Sequence, residues 1–190
     1  MSATLDVIPV RKQAAADGKV TVGVADLAVV NTRDAEIITH ALGSCIGVTV
    51  FDPIAGVGGM LHFMLPGSAD AQRAEENPAM FGDTGIPLLF RSCYALGAVK
   101  ERLIVCAAGG AEILNDDNTF RVGARNRTLL RKIFWKNNVL IQAEDTGGTA
   151  RPREIPVGEG PGTVVRREGG EGGERGEKGG VMTLRRPVRR

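Results

Sequence analysis

Apolar and polar residues alternate along several short segments of the chain, with the period of two that a half-buried β-strand produces. Residues 36–42 show this most clearly, because Ile37, Thr39 and Ala41 fall on one face. The other segments that predict strands are rich in β-branched or purely apolar residues. They are 20–30 with a break at 23–26, 45–51, 57–65, 103–108, 139–143, 153–157 and 163–165.

Two longer segments, 86–98 and 123–136, repeat their apolar residues at the spacing of one helix face and predict α-helices. Residues 67–85 are polar and contain glycine and proline, which predicts a loop long enough to cover a site. Strands and helices follow one another in mixed order along the chain. The pattern therefore predicts an α+β fold.

Two of the predicted strands, 45–51 and 57–65, are joined by turn-forming sequence and predict a β-hairpin. One register places Cys45 opposite Phe63 and next to His62, and a shift of one residue places Cys45 directly opposite His62. Opposed side chains of antiparallel strands have Cβ atoms roughly 4.5–5.5 Å apart. The thiol and the imidazole are therefore predicted to be neighbours.

The chain of 190 residues is long enough for one domain with a single core and too short for two. Residues 1–18 have no sustained apolar face and predict a flexible N-terminus. The predicted domain is 19–165, which contains all the predicted elements. Glycine and charge dominate 166–190 and predict a disordered tail, in which the short apolar segment 181–184 is the one candidate for a contact with a partner.

The formal net charge is +2, but eight basic and four acidic residues lie between 166 and 190, so the body of the chain is close to neutral. A neutral body lacks the clustered lysine and arginine that phosphate contacts require. The composition therefore argues against a dedicated nucleic-acid surface.

No segment approaches the ~18 apolar residues of a membrane-spanning helix, and the N-terminal sequence lacks an apolar leader. The three cysteines, Cys45, Cys93 and Cys106, form no CxxC pair, and their odd number leaves at least one thiol outside any internal disulfide. Such cysteine usage is typical of a reducing compartment. We therefore expect a cytoplasmic protein without membrane insertion.

Cys45 follows Gly43 and Ser44 at a sharp junction between two predicted strands, where neighbouring backbone N–H groups can point at a developing oxyanion. This is a suitable position for a nucleophile. An arbitrary free cysteine is more often a small buried apolar residue, and Cys106 fits that description. The predicted pairing with His62 favours the nucleophile for Cys45.

The chain contains two histidines, which excludes a three-histidine metal site and favours a thiol–imidazole pair. His62 is the predicted base, with Thr39 as the residue that orients its ring. The alternative for His62 is a core histidine with satisfied hydrogen bonds. His40 falls on the strand face opposite Thr39 and is assigned a structural role. Gly109 and Gly110 follow a strand and are weak candidates for contacts with a substrate backbone.

Four sequence blocks resemble the CheD family, the chemoreceptor glutamine deamidases of bacterial and archaeal chemotaxis. The blocks are Leu42-Gly43-Ser44-Cys45, Gly58-Gly59-Met60-Leu61-His62-Phe63-Met64-Leu65-Pro66, Gly109-Gly110-Ala111, and Gly123-Ala124-Arg125-Asn126 with the later Asp145-Thr146-Gly147-Gly148. The resemblance covers about 20–165. It implies two packed β-sheets flanked by helices, with layers α/β/β/α, similar to the cytotoxic necrotising factor deamidases.

The resemblance also implies a reaction and its residues. The family's nucleophile falls on Cys45, its base on His62 and its orienting threonine on Thr39. Gly43, Ser44, Gly109 and Gly110 are the expected substrate or oxyanion contacts. The implied reaction converts a glutamine of a chemoreceptor cytoplasmic domain to glutamate through a thioester, without a cofactor or a metal, and a CheC-type phosphatase is a candidate partner.

Two alternatives remain open from the sequence. The first is a cysteine amidohydrolase with the same scaffold and another protein target. The second is a non-enzymatic module that binds a signalling partner. The presence of Cys45, His62 and Thr39 together favours an enzyme, because a binding module does not need all three.

Overall fold

A computed structural model of the protein describes residues 18–31, 35–68, 71–112, 121–148, 163–166 and 181–184. The strands in this part of the chain are β1 Lys19–Val22, β2 Asp26–Val30, β3 Glu36–Thr39, β4 Ile46–Asp52, β5 Val57–Phe63, β6 Ile104–Gly109, β7 Ala143–Thr146, β8 Thr163–Arg166 and β9 Val181–Leu184. The helices are α1 Ala71–Glu76, α2 Gly82–Ala95 and α3 Val122–Lys136, with short 3₁₀ turns at Pro78–Met80 and Lys100–Arg102.

The strands form two mixed sheets. The five-stranded sheet has the order β2-β5-β4-β6-β7, in which only the pair β6–β7 is parallel. The four-stranded sheet has the order β1-β3-β9-β8, in which only the pair β1–β3 is parallel. The predicted α+β class with two mixed or antiparallel sheets is confirmed.

Alternation along the strands of the five-stranded sheet separates two cores. One face packs against α2 and α3 through large apolar side chains, among them Leu27, Val29, Ile46, Val48, Leu61, Phe63, Leu89, Phe90, Leu130 and Phe134. The other face packs against the four-stranded sheet through a second set of apolar side chains, among them Val20, Val22, Ala28, Ile37, Met60, Cys106 and Met182. Side chains that alternate toward this second core lie between the two sheets.

Helices α2 and α3 both pack on the outer face of the five-stranded sheet. Within the described residues, no helix covers the outer face of the four-stranded sheet. The predicted α/β/β/α layering is therefore corrected to α/β/β for this part of the chain. The sequence expectation placed a helix there by analogy, whereas both amphipathic helices find their apolar partner on the same sheet.

The predicted hairpin is present as β4 and β5, but neither predicted register is correct. Gly47 pairs with His62, and Ile46 pairs with Phe63. The first predicted register placed Cys45 opposite Phe63, so the observed register differs from it by one residue. The alternative with Cys45 opposite His62 differs from the first by one residue in the other direction. Continuing the observed register places Cys45 level with Met64. Because residues two apart on a strand share a face, the observed register puts Cys45 and His62 on the same side of the sheet.

The hairpin turn is held by the buried carboxylate of Asp52. Its Oδ1 accepts hydrogen bonds from the N–H groups of Ile54 and Ala55, at 2.9 and 3.0 Å, and its Oδ2 accepts from Val99 N–H at 2.8 Å. Burial alone would raise the pKa of Asp52, but the Arg102 guanidinium and these N–H groups outweigh it and lower that pKa to about 2. The charged carboxylate fixes the turn and, through it, the register.

Several predicted boundaries move. The predicted strand 139–143 is wrong except for its last residue: β7 begins only at Ala143, because the preceding residues close α3 and turn back to the sheet. The predicted loop 67–85 contains α1, a 3₁₀ turn and the first turn of α2. The predicted strand at 153–157 lies outside the described residues.

Residues 181–184 of the predicted disordered tail form a strand, which corrects that prediction for this segment. Residues 167–180 and 185–190 lie outside the described residues. Strand β9 pairs with β3 on one side and β8 on the other, and its Met182 is fully buried between the sheets. The segment 181–184, considered above as a docking segment for a partner, docks on this chain itself. The strand was not predicted because four residues are too few for a clear alternation and because the sequence before them is rich in glycine.

Deleting residues 181–190 is expected to lower the free energy of unfolding by about 2–5 kcal/mol, because it removes Met182 from the core and the antiparallel neighbour of β3. Urea denaturation followed by circular dichroism measures the change. A control deletion of 185–190 keeps every contact described for β9 and should leave the stability near that of the full chain. Equal stability of all three proteins would contradict the docking of β9.

Candidate active site

Thr39 and His62 form a hydrogen bond that joins the two sheets. Thr39 ends β3 and His62 lies in β5, and both side chains are fully buried, with Thr39 Oγ1 2.8 Å from His62 Nδ1. Thr39 Oγ1 also lies 2.7 Å from the carbonyl oxygen of Val22 in β1. A threonine hydroxyl has one proton, and a carbonyl can only accept it, so Thr39 must accept a hydrogen bond from Nδ1–H. This assigns the ring tautomer and leaves the lone pair on Nε2.

Burial sets the protonation state of His62. It lowers the pKa of His62 from its ordinary 6.5 to about 4, and the negative charge of Asp26 on the neighbouring strand opposes this shift only in part. Nε2 is buried and takes part in no hydrogen bond within the described residues. At neutral pH His62 is therefore an uncharged imidazole with an available base at Nε2.

The stability of the protein is expected to fall as the pH is lowered from about 6.5 to 4, by up to about 3 kcal/mol from His62 alone. In this range the unfolded chain binds a proton at His62 whereas the folded protein, with a pKa of about 4, does not. Urea denaturation of wild type and His62→Gln at several pH values measures the difference. The stability difference between the two proteins should change across this range, and a constant difference would contradict the lowered pKa.

Cys45 is placed by the β4–β6 ladder. The last pair of that ladder is Ile46 with Gly109, and the Gly110 N–H extends it by donating to the Cys45 carbonyl at 2.7 Å. Cys45 therefore continues the line of β4 and lies two residues before Gly47, the partner of His62. The backbone brings the thiol and the imidazole to one face as diagonal neighbours, for which Cα separations of roughly 7–8 Å are usual.

The Cys45 thiol is half-buried and accessible from outside, whereas the His62 imidazole is fully buried. Burial raises the pKa of the Cys45 thiol, and a hydrogen bond from its own backbone N–H opposes this shift in part. The two shifts together favour a neutral thiol and a neutral imidazole at rest. Cys45 does not donate to His62 Nε2 in this structure, and hydrogen bonds of this kind commonly form only when substrate binds.

The glycines next to Cys45 shape its backbone. The turn before it closes with Cys45 N–H donating to the Leu42 carbonyl at 2.7 Å, and Gly43, at φ +44°, presents its carbonyl to Ala111 N–H at 2.8 Å. A side chain on Gly109, at φ +103°, would collide with the Cys45 carbonyl. These positions hold the backbone of Cys45 in place.

Two of the residues predicted to contact the substrate or its oxyanion, Gly110 and Ser44, already have backbone groups in hydrogen bonds within the protein. The Gly110 N–H is engaged by the Cys45 carbonyl and is not free to hold an oxyanion while that bond lasts. The Ser44 carbonyl accepts a hydrogen bond from the side chain of Asn126 at 3.0 Å. A direct substrate contact by Gly43, Ser44 or Gly109 stays a prediction.

Two residues near the site were given no role there from the sequence, although Asn126 stood in one of the four blocks of the family resemblance. Asn126 is fully buried and lies on the same face of α3 as Leu130 and Phe134, so a polar residue within an apolar stripe was the available signal. Met182 of β9 fills the space left by Gly47, where an added Cβ would lie 2.8 Å from its Sδ. The apolar segment 181–184 was visible in the sequence, but no pattern indicated that Met182 lies next to Gly47.

The remaining candidates do not join the site. His40 is exposed, as expected for the opposite face of β3. Cys45, Cys93 and Cys106 are all free thiols, and burial raises the pKa of Cys93 to about 12. Within the described residues no group of three acidic, histidine or cysteine side chains is arranged to hold a metal ion. No helix in this part of the chain is both long and apolar enough to cross a membrane.

The family model described as CheD chemotactic sensory transduction matches residues 64–167, more than half of the chain. The chain belongs to the CheD family. The matched range begins after His62 and therefore does not include Thr39, Cys45 or His62.

Relatives of this CheD chain agree with that assignment. It is 55% identical over 131 residues to the probable chemoreceptor glutamine deamidase CheD 1 of Syntrophus aciditrophicus, covering 68% of this chain and 82% of the relative. It is 46% identical over 144 residues to the probable chemoreceptor glutamine deamidase CheD of Solibacter usitatus, covering 75% and 85%. It is 40% identical over 133 residues to the chemoreceptor glutamine deamidase CheD of Halalkalibacterium halodurans, covering 68% and 82%.

Proposed function

We propose that this protein converts glutamine side chains of chemoreceptor cytoplasmic domains to glutamate, with Cys45 as the nucleophile. The names of the relatives support the substrate class. The observation that carries the chemistry is the chain of hydrogen bonds from His62 Nδ1–H to Thr39 and from Thr39 to the Val22 carbonyl. It leaves His62 Nε2 as a buried base on the same face as a half-exposed thiol.

The first step forms a thioester precursor. When the glutamine carboxamide binds, the Cys45 sulfur attacks its carbon while the thiol proton moves to His62 Nε2. The resting pair is neutral, so charge develops only as the bond forms. The resulting imidazolium gives up its proton more readily than an exposed one, because burial lowers the pKa of His62 to about 4. Thr39 accepts from Nδ1–H in both protonation states and keeps the ring in place.

The second step releases ammonia and then glutamate. The tetrahedral adduct collapses as its C–N bond breaks and the imidazolium gives its proton to the leaving nitrogen. Water then attacks the thioester carbon, Nε2 takes a proton from that water, and the C–S bond breaks with return of a proton to sulfur. The balance is one glutamine side chain and one water consumed, with one glutamate and one ammonium ion formed.

The cellular setting is part of the same proposal. A nucleophilic thiol stays reduced in the cytoplasm, and all three cysteines of this chain are free. A CheC-type phosphatase remains a candidate partner of the protein. The packing of two sheets with the Thr39–His62 bond between them fits the expected likeness to cytotoxic necrotising factor deamidases, which remains a prediction.

The proposal is tested by incubating the protein with a purified chemoreceptor cytoplasmic fragment. Each converted glutamine raises the intact mass of the fragment by ~1 Da and releases one ammonia. A fragment with those glutamines replaced by glutamate is the control and should not change. A fragment that binds without any mass change would favour the binding module, and ammonia release from other proteins only would favour a different target.

Thr39→Val is expected to lower kcat about 10–100-fold, because a methyl group in place of the hydroxyl leaves Nδ1–H without an acceptor and no longer assigns the tautomer. Thr39→Ser keeps the hydroxyl and should stay within about threefold of wild type. Deamidation kinetics measure the effect, and ¹⁵N NMR of the imidazole reads the tautomer directly. Equal rates for the two variants would remove Thr39 from the site.

A further inference from the structure

The two strands that carry the thiol and the imidazole separate where the site begins. Ile46 with Phe63 is the last pair of the β4–β5 ladder. Beyond it Cys45 pairs with Gly110, while Met64 N–H donates to the Met80 carbonyl at 3.0 Å. The chain ends of the hairpin therefore follow different neighbours, and a gap opens between them next to Cys45.

The side-chain amide of Asn126 spans this gap. Its Nδ2 donates to the Ser44 carbonyl at 3.0 Å and to the Met64 carbonyl at 2.8 Å. Ser44 directly precedes Cys45, and Met64 lies two residues after His62. One NH₂ group thus replaces the missing ladder bonds one step beyond the end of the hairpin.

The orientation of this amide is fixed by chemistry. Both of its partners are backbone carbonyls, which only accept hydrogen bonds, so the NH₂ group and not the oxygen must face them. Asn126 is fully buried, and its Oδ1 has no partner within the described residues. A rotated amide would lose both bonds and place its oxygen against two carbonyl oxygens.

Helix α3 also lies close to the site one turn before Asn126. Gly123 lies so close to the backbone of 110–111 that a side chain there would collide with the Ala111 carbonyl and come within 2.7 Å of the Gly110 oxygen. Residues three apart share a helix face, so Gly123 and Asn126 contact the site together. The first turns of α3 therefore contact the Cys45 loop, the end of β5 and the loop after β6.

We propose that Asn126 is a positioning residue that sets the spacing between the Cys45 thiol and the His62 imidazole. It touches neither reacting group and acts through the backbone on both sides of the gap. Without its two hydrogen bonds the ends of β4 and β5 separate, and the thiol loses its approach to Nε2. A displacement of about 1 Å in such a pair is enough to slow the chemistry by about 100-fold.

The test compares Asn126→Ala with Asn137→Ala. Asn137 lies at the other end of the same helix, where its Nδ2 donates to a single backbone carbonyl, that of Ile133, at 2.8 Å. Loss of Asn137 weakens α3 without touching the site. Asn126→Ser, which leaves a smaller cavity and keeps a donor, is the second variant if the alanine variant does not fold.

Two readouts distinguish a failure of this inference from a failure of the proposed function, and only the second readout rests on that function. The first is the rate of Cys45 alkylation by iodoacetamide between pH 5 and 9, which needs no receptor; Cys93 and Cys106 are buried and do not compete. The second is the kinetics of receptor-fragment deamidation, with kcat and KM determined separately. Melting temperatures of all variants are recorded so that rates are compared well below unfolding.

We expect the Asn126 variant to alkylate at least about tenfold more slowly at pH 7 and to lose about 10–100-fold in kcat, with KM within about twofold of wild type. Asn137→Ala should lose thermal stability but keep both rates. Wild-type alkylation and kcat in a folded Asn126 variant would overturn the inference, as would a change confined to KM. Altered alkylation without any receptor deamidation by the wild type would support the positioning role and reject the proposed function.

Discussion

Cys45→Ser is expected to lower the rate of glutamine deamidation at least about 1,000-fold while leaving the fold unchanged. Serine keeps the shape of the side chain, and the backbone bonds at this position, from Gly110 N–H and to the Leu42 carbonyl, do not involve it. The chemistry fails because an alcohol is a far weaker acid than a thiol. His62, with a pKa of about 4, is too weak a base to remove its proton.

Cys93→Ala is the matched control for this substitution. Cys93 is a buried thiol in the core between α2 and the five-stranded sheet, in contact distance of Gly59 rather than the site. Its replacement should lower stability slightly and leave kcat within about twofold of wild type. Ammonia release from the receptor fragment measures both variants. Substantial activity in Cys45→Ser would remove Cys45 as the nucleophile.

His62→Gln is expected to lower kcat about 100–10,000-fold, the range for loss of a general acid and base. Glutamine fills similar space and can still reach Thr39, but it cannot take the thiol proton or give one to the leaving ammonia. The defect should appear in kcat and in alkylation of Cys45, because both require the thiolate. Circular dichroism at neutral pH should be unchanged.

His40→Gln provides the comparison within the same strand region. His40 follows Thr39 directly but is exposed on the opposite face. Its replacement should leave kcat and the alkylation of Cys45 as in wild type. An activity loss in His40→Gln that equals the loss in His62→Gln would mean that the two histidines had been assigned the wrong roles.

The hairpin and the face of Thr39 were predictable from local pattern, whereas the register was not. Alternation places Ile37 and Thr39 together and His40 opposite, and the structure confirms this arrangement. The register depends on how Asp52 closes the turn, through bonds to Ile54 and Ala55 that a sequence does not display. One residue of shift decides which side chains share a face with His62.

Contacts between distant segments were outside the reach of sequence pattern. The Thr39–His62 bond joins two sheets, and no local pattern in either strand shows that the two strands lie against each other; the sequence paired the residues through their expected roles and through the family resemblance. Strand β9 is too short for a clear period and follows glycine-rich sequence, so its burial next to β3 was missed. Asn126 stood in one of the four blocks of the family resemblance and was a polar residue within an apolar helix stripe, but neither signal indicated its contacts with the backbone of 44 and 64.

The protonation states also depend on the folded environment. A thiol–imidazole pair read from sequence is compatible with either an ion pair or a neutral pair. Burial raises the pKa of Cys45 and lowers that of His62, and both shifts favour the neutral pair. The size of these shifts follows from how deeply each group is covered, which composition and spacing do not determine.

Interception of the thioester tests the central claim most directly. Wild type and Cys45→Ser are each incubated with a chemoreceptor cytoplasmic fragment in the presence of hydroxylamine, which competes with water for the acyl-enzyme. With wild type we expect glutamate and glutamyl hydroxamate at the same glutamines, ~1 and ~16 Da heavier than the starting residue, and with Cys45→Ser neither product. Glutamate without any hydroxamate, or the same products from Cys45→Ser, would contradict catalysis through a Cys45 thioester.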